Sequence, residues 1–252
     1  MKKHRSLDIC AETRQGSRDA NEDSYLVLQG ATVPPGLLAV IAVADGIGGL
    51  GSGHVASSTA LTTFGETMRK LAAAFSGNGA PPVLDWLAFS FHKANSAVMR
   101  MGMSLEELRG MGTTLTAAVM TEETVYICHM GDSRAYLWQG GELKQITSDD
   151  WFRGLRGDDR PAGKQPSGVT LVNQAIGWQP MITPTKVTES LLPGDTLLLC
   201  TDGLTDALSD DEITRLMAEG GSVSDICRRL VDTAAETPGS DNTTVVLARL
   251  ST

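Results

Sequence analysis

Apolar and polar residues along the 252-residue chain fall into blocks with two different periods. Residues 7–11 and 24–29 alternate loosely between apolar and polar, as strands with one buried face do. Residues 36–46 form a nearly continuous apolar run that ends in Asp-Gly, which indicates a strand buried on both faces. Residues 113–147 contain four further alternating segments separated by short polar turns, which predicts a meander of hairpins.

Apolar residues at helical spacing predict four helices, at 54–75, 82–103, 210–220 and 222–236. Three more strands are predicted toward the C-terminus, at 183–190, 195–203 and 242–250. The strands do not alternate strictly with helices. This order therefore favours an α+β fold, in which antiparallel sheets carry helices packed outside, over a doubly wound parallel fold.

Residues 149–181 differ from the rest of the chain. They are rich in Asp, Arg, Gly and Pro, and they show little apolar periodicity. Such a long segment between strands is typical of a surface loop with a functional role. The sequence therefore predicts one domain over residues 1–252, with a mobile flap at about 149–181.

The formal net charge of −9 argues against a nucleic-acid or anionic-membrane surface. No apolar run is long enough to span a bilayer, and the basic N-terminus lacks the apolar stretch of a signal peptide. A cytoplasmic location is expected. The four cysteines are widely spaced, which favours neither a disulfide framework nor a zinc site.

Acidic residues stand at the boundaries of several predicted strands. Two apolar strands run into Asp-Gly, and other acids lie just before a strand or within a hairpin turn; these acids are Glu22, Asp23, Asp45, Asp132, Asp202 and Asp241. One Asp-Gly pair is usually only a turn, and a solvated acidic surface is the ordinary alternative. If the acids converge, their repulsion requires cations, and oxygen ligands suit magnesium or manganese.

Arg18 is a basic residue close to Glu22 and Asp23. Its guanidinium has the shape to hold a phosphate group through two hydrogen bonds. The alternative is an exposed arginine in a polar loop.

Six segments, taken in order, resemble the motifs of the type 2C family of metal-dependent serine/threonine protein phosphatases in its bacterial form. They are GSRDANED with Arg18 and Asp23, VADGIGG with Asp45 and Gly46, GMGTTLTA, HMGDSRAYL with Asp132, CTDGLTD with Asp202, and SDNTTVV with Asp241. Together they cover nearly the whole chain, and six ordered motifs are a specific signal.

The resemblance implies two packed antiparallel β-sheets flanked by α-helices on both outer faces. It also implies two Mn²⁺ or Mg²⁺ ions, with Asp45 bridging them, Asp202 and Asp241 completing the shell of one, and the Gly46 carbonyl binding the other. Glu22 and Asp23 would act near the ions, largely through water. Asp132, with Asp202, could hold a third, weaker ion. Arg18 would hold the substrate phosphate, so that Arg18, Asp23 and Asp45 are the predicted catalytic residues.

The sequence departs from the family pattern at two places. Ile47 stands where animal members often carry a histidine that has been proposed as the proton donor, so the general acid is unassigned. Ser148-Asp149-Asp150-Trp151 stands where many relatives read Asp-His. These departures affect leaving-group protonation and substrate choice, but they leave the main acids in place.

The resemblance implies an enzyme that hydrolyses phosphoserine and phosphothreonine in proteins and opposes a Hanks-type Ser/Thr kinase. A monomer that binds neither nucleic acid nor membrane is expected. Two alternatives stay open: a pseudophosphatase that binds phosphorylated partners without turnover, and a metal hydrolase for small phosphate esters. Retention of Asp45, Asp202 and Asp241 favours activity over the pseudophosphatase.

Overall fold

The computed structural model describes residues 5–33, 37–49, 51–76, 80–150 and 174–251. The strands are β1 (Leu7–Arg14), β2 (Ser24–Gln29), β3 (Ala39–Ala44), β4 (Gly46–Ile47), β5 (Gly112–Thr113), β6 (Leu115–Met120), β7 (Thr124–Met130), β8 (Arg134–Gln139), β9 (Glu142–Gln145), β10 (Thr185–Ser190), β11 (Thr196–Cys200) and β12 (Thr243–Leu250). The helices are α1 (Ser52–Ala74), α2 (Val83–Ser104), α3 (Asp202–Ala207), α4 (Asp210–Ala218) and α5 (Val223–Ala235), with short 3-10 helices at Gly30–Thr32 and Glu106–Leu108.

Ten of these strands form two five-stranded antiparallel sheets. One sheet has the order β1-β12-β11-β8-β9, and the other has the order β10-β7-β6-β3-β2. The two remaining strands, β4 and β5, pair as a small ribbon, with Gly46 opposite Thr113 and Ile47 opposite Gly112.

Three apolar layers hold the two sheets and the helices together. Strand β3 explains how, because its residues alternate between two cores: Ile41 faces the other sheet, whereas Val40 faces α1 and α2. On that outer side Phe64 and Phe91 pack edge to face, with ring centroids 5.9 Å apart. Helices α4 and α5 cover the opposite sheet through a third core. The predicted fold class, two sheets flanked by helices on both outer faces, is confirmed.

The four predicted helices are present, and their ends differ from the prediction by two residues or fewer. Helix α3 was not predicted, because six residues are too few to display an apolar period. Strand β1 extends beyond its apolar residues to Arg14, since its polar end still pairs with β12. Within the described residues, no helix is long and apolar enough to cross a membrane.

Most of the predicted flap, residues 151–173, lies outside the described residues. The chain on either side of it is held by specific contacts. Arg134 binds Asp149 through two nitrogens, at 2.9 and 2.7 Å, and the Gly131 N–H donates to the Asp150 carboxylate at 3.0 Å. On the far side, Ile176 forms an isolated antiparallel bridge with a residue of β5.

Candidate active site

The acids singled out by the sequence lie at one end of the sandwich. Since neighbouring strands are antiparallel, the end of β3 lies beside the start of β2, and the end of β11 lies beside the start of β12. The chain places its acids at these junctions: Glu22 and Asp23 before β2, Asp45 after β3, Asp132 between β7 and β8, Asp202 after β11, and Asp241 before β12.

Two threonines fix the backbone of Asp45. The Thr114 N–H donates to the Asp45 carbonyl at 2.9 Å, and the Thr114 hydroxyl oxygen accepts the Asp45 N–H, also at 2.9 Å. The Thr113 hydroxyl donates to the same carbonyl at 2.7 Å. Thr114 also shares a hydrogen bond with Ser133, in the turn that carries Asp132. The main chain at Asp45 is thus held independently of the Asp45 carboxyl group.

The carboxyl groups of Asp45 and Asp202 are close neighbours that influence each other's ionisation. Burial is the main cause that raises the pKa of both groups. Repulsion from the charge on Asp202 raises the pKa of Asp45 further, and repulsion from Asp241 does the same for Asp202. The pair would be costly to ionise unless a cation compensated it.

Asp23 is nearly completely buried, with 6% of its surface exposed. Its Oδ2 accepts the Thr201 hydroxyl at 2.7 Å, whereas its Oδ1 has no hydrogen-bond partner among the described residues. Burial raises the pKa of Asp23 to about 7 against the lowering effect of the Thr201 hydroxyl. A buried carboxylate oxygen without a partner is suited to receive a hydrogen bond from water.

Asp132 and Asp206 are further acids in the neighbourhood of Asp202. Burial raises the pKa of Asp132 to about 8, and the charge on Asp202 adds to this effect. Asp206 lies one helical turn after Asp202 on α3, and its pKa is raised to about 7, first by burial and then by Asp202. The sequence reasoning missed Asp206. Its signal was the spacing of two acids four residues apart in CTDGLTD, which places both on one helix face.

Arg18 lies on the wall of a cavity at this end of the sandwich. Its guanidinium pairs with the carboxylate of Asp241, and its side chain is 62% exposed. The cavity has a volume of about 750 Å³, which is ample for a phosphorylated side chain. The lining includes Arg18, Glu22, Asp45, Gly46, Ile47, Asp241 and Asn242.

Packing against α1 requires a glycine at position 46. A Cβ at Gly46 would lie 2.1 Å from the carbonyl oxygen of Gly53, in the first turn of α1. A Cβ on Gly53 would in turn meet two oxygen atoms. It would lie 2.6 Å from the Gly46 carbonyl oxygen and 2.7 Å from Oε2 of Glu22. The two oxygens are therefore close neighbours beside the N-terminus of α1.

Asn242 is a buried residue of the site that the sequence reasoning did not select. Its Oδ1 accepts the Glu22 N–H at 2.8 Å, and its Nδ2 donates to the carbonyls of Gln15 and Ala20 at 2.8 and 2.9 Å. One side chain thus fastens both ends of the loop that carries Arg18 to the start of β12. Its position directly after a predicted metal-binding aspartate was the available signal.

The donor groups around the cavity fit hard divalent cations. Within the described ranges, no three His, Cys, Asp or Glu side chains are already arranged as a close metal-binding cluster. Arg18 instead pairs with Asp241. The donors are nonetheless carboxylate and carbonyl oxygens, several with raised pKa values, which is the chemistry that magnesium and manganese select.

Comparison with known proteins gives consistent matches over most of the chain. Residues 13–242 match the family model described as Protein phosphatase 2C. The serine/threonine protein phosphatase PstP of Mycobacterium tuberculosis is 34% identical over 236 residues, which cover 92% of this chain and 42% of that protein. This chain therefore spans about two-fifths of the length of that relative. The serine/threonine phosphatase stp of Listeria welshimeri is 31% identical over 91% of this chain and 90% of its own length.

A solved structure extends the match to the fold. The catalytic domain of the serine/threonine phosphatase PstP in complex with two manganese ions superposes with a TM-score of 0.79. It is 32% identical in sequence, and the match covers 99% of this chain and 100% of that one.

Proposed function

This chain belongs to the protein phosphatase 2C family, and from that premise we propose that it hydrolyses phosphoserine and phosphothreonine in proteins. The observation that carries the proposal is the group of neighbouring acids with raised pKa values beside a cavity that Arg18 also lines. The manganese-bound relative supports two divalent ions, Mn²⁺ or Mg²⁺, as the counter-charges of these acids.

We assign the ion-binding roles by position. Asp45 would lie between two ions, Asp202 and Asp241 would complete one shell, and the Gly46 carbonyl would serve the other. Glu22 would assist there, because its carboxylate is a close neighbour of the Gly46 oxygen. Asp132, Asp202 and Asp206 are the candidate groups for a third ion, since the charge on Asp202 raises the pKa of both other acids.

The ions and the side chains of this chain divide the reaction between them. Divalent ions bound at this site would acidify a water molecule and stabilise the charge on the phosphoryl oxygens. Arg18 would bind the phosphate, and the unpartnered Oδ1 of Asp23 would accept a hydrogen bond from water and orient it. The bond between phosphorus and the Ser or Thr oxygen breaks as the bond to the water oxygen forms. The products are the free hydroxyl and inorganic phosphate.

The pseudophosphatase reading is not favoured, because all the acids that this assignment needs are present and lie at one end of the fold. We further propose that the substrates are targets of a Hanks-type Ser/Thr kinase and that the enzyme is a cytoplasmic monomer. The net charge of −9 supports partners other than nucleic acid or anionic membranes.

The proposal is tested with phosphoserine, phosphothreonine and phosphotyrosine peptides and with p-nitrophenyl phosphate. Hydrolysis is expected in Mn²⁺ or Mg²⁺, with preference for the first two peptides, and it should cease in EDTA and return when metal is restored. A metal-saturated protein that binds phosphopeptides without releasing phosphate would instead establish the pseudophosphatase. Turnover of small esters without turnover of any peptide would establish the small-ester hydrolase.

Removing metal should also change how stability depends on pH. Burial raises the pKa of Asp23 to about 7 and that of Asp132 to about 8 from the ordinary value of 3.8, so the folded chain binds these protons more tightly than the unfolded chain. Their contribution to stability is therefore fully present below about pH 4 and is lost as pH rises through 7 to 8.

Between pH 5.5 and 8, the free energy of unfolding in EDTA should consequently fall, on the order of 1 kcal/mol per pH unit. In Mn²⁺ the trend should reverse, because protons then compete with the metal. Thermal melts across this pH range measure both trends. Asp132→Asn should flatten the slope in EDTA, and an unchanged slope in that variant would contradict the assignment.

A further inference from the structure

Trp178 keeps 41% of its surface exposed although the chain on both sides of it is firmly held. The preceding N–H, of Gly177, donates to Oδ1 of Asn95 at 2.7 Å, and Nδ2 of Asn95 donates to the following carbonyl, of Gln179, at 2.8 Å. Asn95 lies on α2 and is only 1% exposed. A buried amide therefore binds the residues on either side of an exposed indole.

The backbone before Trp178 is fixed as well. Ile176 and Thr113 exchange two hydrogen bonds, at 3.0 and 2.9 Å. Gly177 has a φ of +101°, and a Cβ there would lie 2.4 Å from a methyl group of Val98, so only glycine fits. Thr113 is also the residue whose hydroxyl binds the Asp45 carbonyl. The position of Trp178 is thus tied to the backbone of the active site.

Gly112 shows where the indole lies relative to the cavity. A Cβ on Gly112 would stand 2.3 Å from Nε1 of Trp178, so the indole occupies the space that a side chain at 112 would take. Gly112 pairs directly with Ile47 in the β4–β5 ribbon. Directly paired residues of an antiparallel ribbon present their side chains on the same face. The indole therefore lies on the same face of the ribbon as the side chain of Ile47, which lines the cavity.

We propose that Trp178 is a specificity-determining residue that binds an apolar or aromatic side chain close to the phosphorylated residue of the substrate, with Asn95 as its positioning residue. This proposal rests on the proposed phosphatase function. A rigid, partly exposed indole on the ribbon face that also carries the cavity residue Ile47 offers a flat apolar surface at little entropic cost. The substrate class is thus a phosphopeptide with a large apolar neighbour, rather than one recognised only by its phosphate.

The test compares Trp178→Ala with the wild-type enzyme on three phosphothreonine peptides of equal length, whose flanking residues are Leu and Phe, Ala, or Arg. For the Leu/Phe peptide we expect kcat/KM to fall about threefold to tenfold, mainly through KM, as one aromatic contact is lost. The Ala peptide and p-nitrophenyl phosphate should be hydrolysed as before. Trp178→Phe should restore most of the loss. Phe89→Ala is the matched control, because Phe89 is 47% exposed and also contacts α2 residue Lys93.

Asn95→Asp separates positioning from contact. The carboxylate keeps the acceptor for the Gly177 N–H but faces the Gln179 carbonyl with an oxygen instead of a donor. We expect the same selective loss on the Leu/Phe peptide, together with a shift in tryptophan fluorescence and normal hydrolysis of p-nitrophenyl phosphate.

Three results would overturn the proposal. They are an equal loss by Trp178→Ala on all substrates, no loss on any peptide, and a loss largest on the Arg peptide, which would indicate a cation–π contact instead. Failure of the underlying phosphatase function would be recognised separately, because the wild-type enzyme would then hydrolyse neither the peptides nor p-nitrophenyl phosphate.

Discussion

Asp45→Asn is expected to reduce phosphopeptide turnover on the order of a thousandfold or more, since several kcal/mol of ion-mediated charge stabilisation would be lost. The substitution keeps the size of the side chain but removes the charge that would bridge two cations. It also removes a charge that interacts with the neighbouring Asp202. Mn²⁺ titration of activity, followed to millimolar concentrations, distinguishes weakened ion binding from loss of the catalytic step.

The same variant should fold normally. Thr113 and Thr114 hold the backbone of Asp45, and neither needs the carboxylate to do so. In EDTA the variant should even melt at a higher temperature than the wild-type protein, because a neutral amide replaces a buried group that resists ionisation.

Asp8→Asn provides the control for Asp45→Asn. Asp8 is exposed, and it lies opposite Arg249 in the register of β1 with β12, at the far end of the sandwich from the site. It should leave both activity and melting temperature unchanged. Undiminished turnover by Asp45→Asn, together with an unchanged melting temperature in EDTA, would contradict the proposed ion-bridging role of Asp45.

The end of β3 was predictable because an apolar run defines it. The run through β3 is buried on both faces, one against the other sheet and one against helices, so its end at Asp45 is unambiguous in the sequence. Antiparallel pairing then brings other strand ends to the same place. This is why acids that the sequence places at strand boundaries also lie close together in the folded chain.

Other features depend on contacts that leave no periodic trace in the sequence. Asn95 and Asn242 act through their amide groups on backbone atoms more than 80 residues away. Gly46 is required by α1, whose path past β4 only the folded chain reveals. Asp206 lies on a helix too short to display an apolar period. In each case the local sequence is compatible with a simple turn or helix, and the tertiary partner decides the role.

Asn242→Asp is expected to lower kcat/KM roughly tenfold to a hundredfold, since the carbonyls of Gln15 and Ala20 each lose a partly buried hydrogen bond that contributes about 0.5–1.5 kcal/mol. The new carboxylate still accepts the Glu22 N–H, but it turns an oxygen toward the carbonyls of Gln15 and Ala20. Because these carbonyls flank Arg18, the loop would lose its fixed position, and KM for p-nitrophenyl phosphate should rise more than kcat falls. Kinetics at saturating Mn²⁺, below the melting temperature of the variant, measure the effect.

Asn242→Ala separates the lost hydrogen bonds from the added charge. It removes all three bonds without placing a further negative group beside Asp241, so it should reproduce most of the rise in KM if the amide fastens the loop. Hydrogen exchange should rise in residues 15–22 of both variants and remain unchanged at β3. If Asn242→Ala kept wild-type kinetics while Asn242→Asp lost activity, repulsion of the phosphate by the new charge would be the cause, and the loop would owe its position to the Ser17–Ser240 backbone hydrogen bond instead.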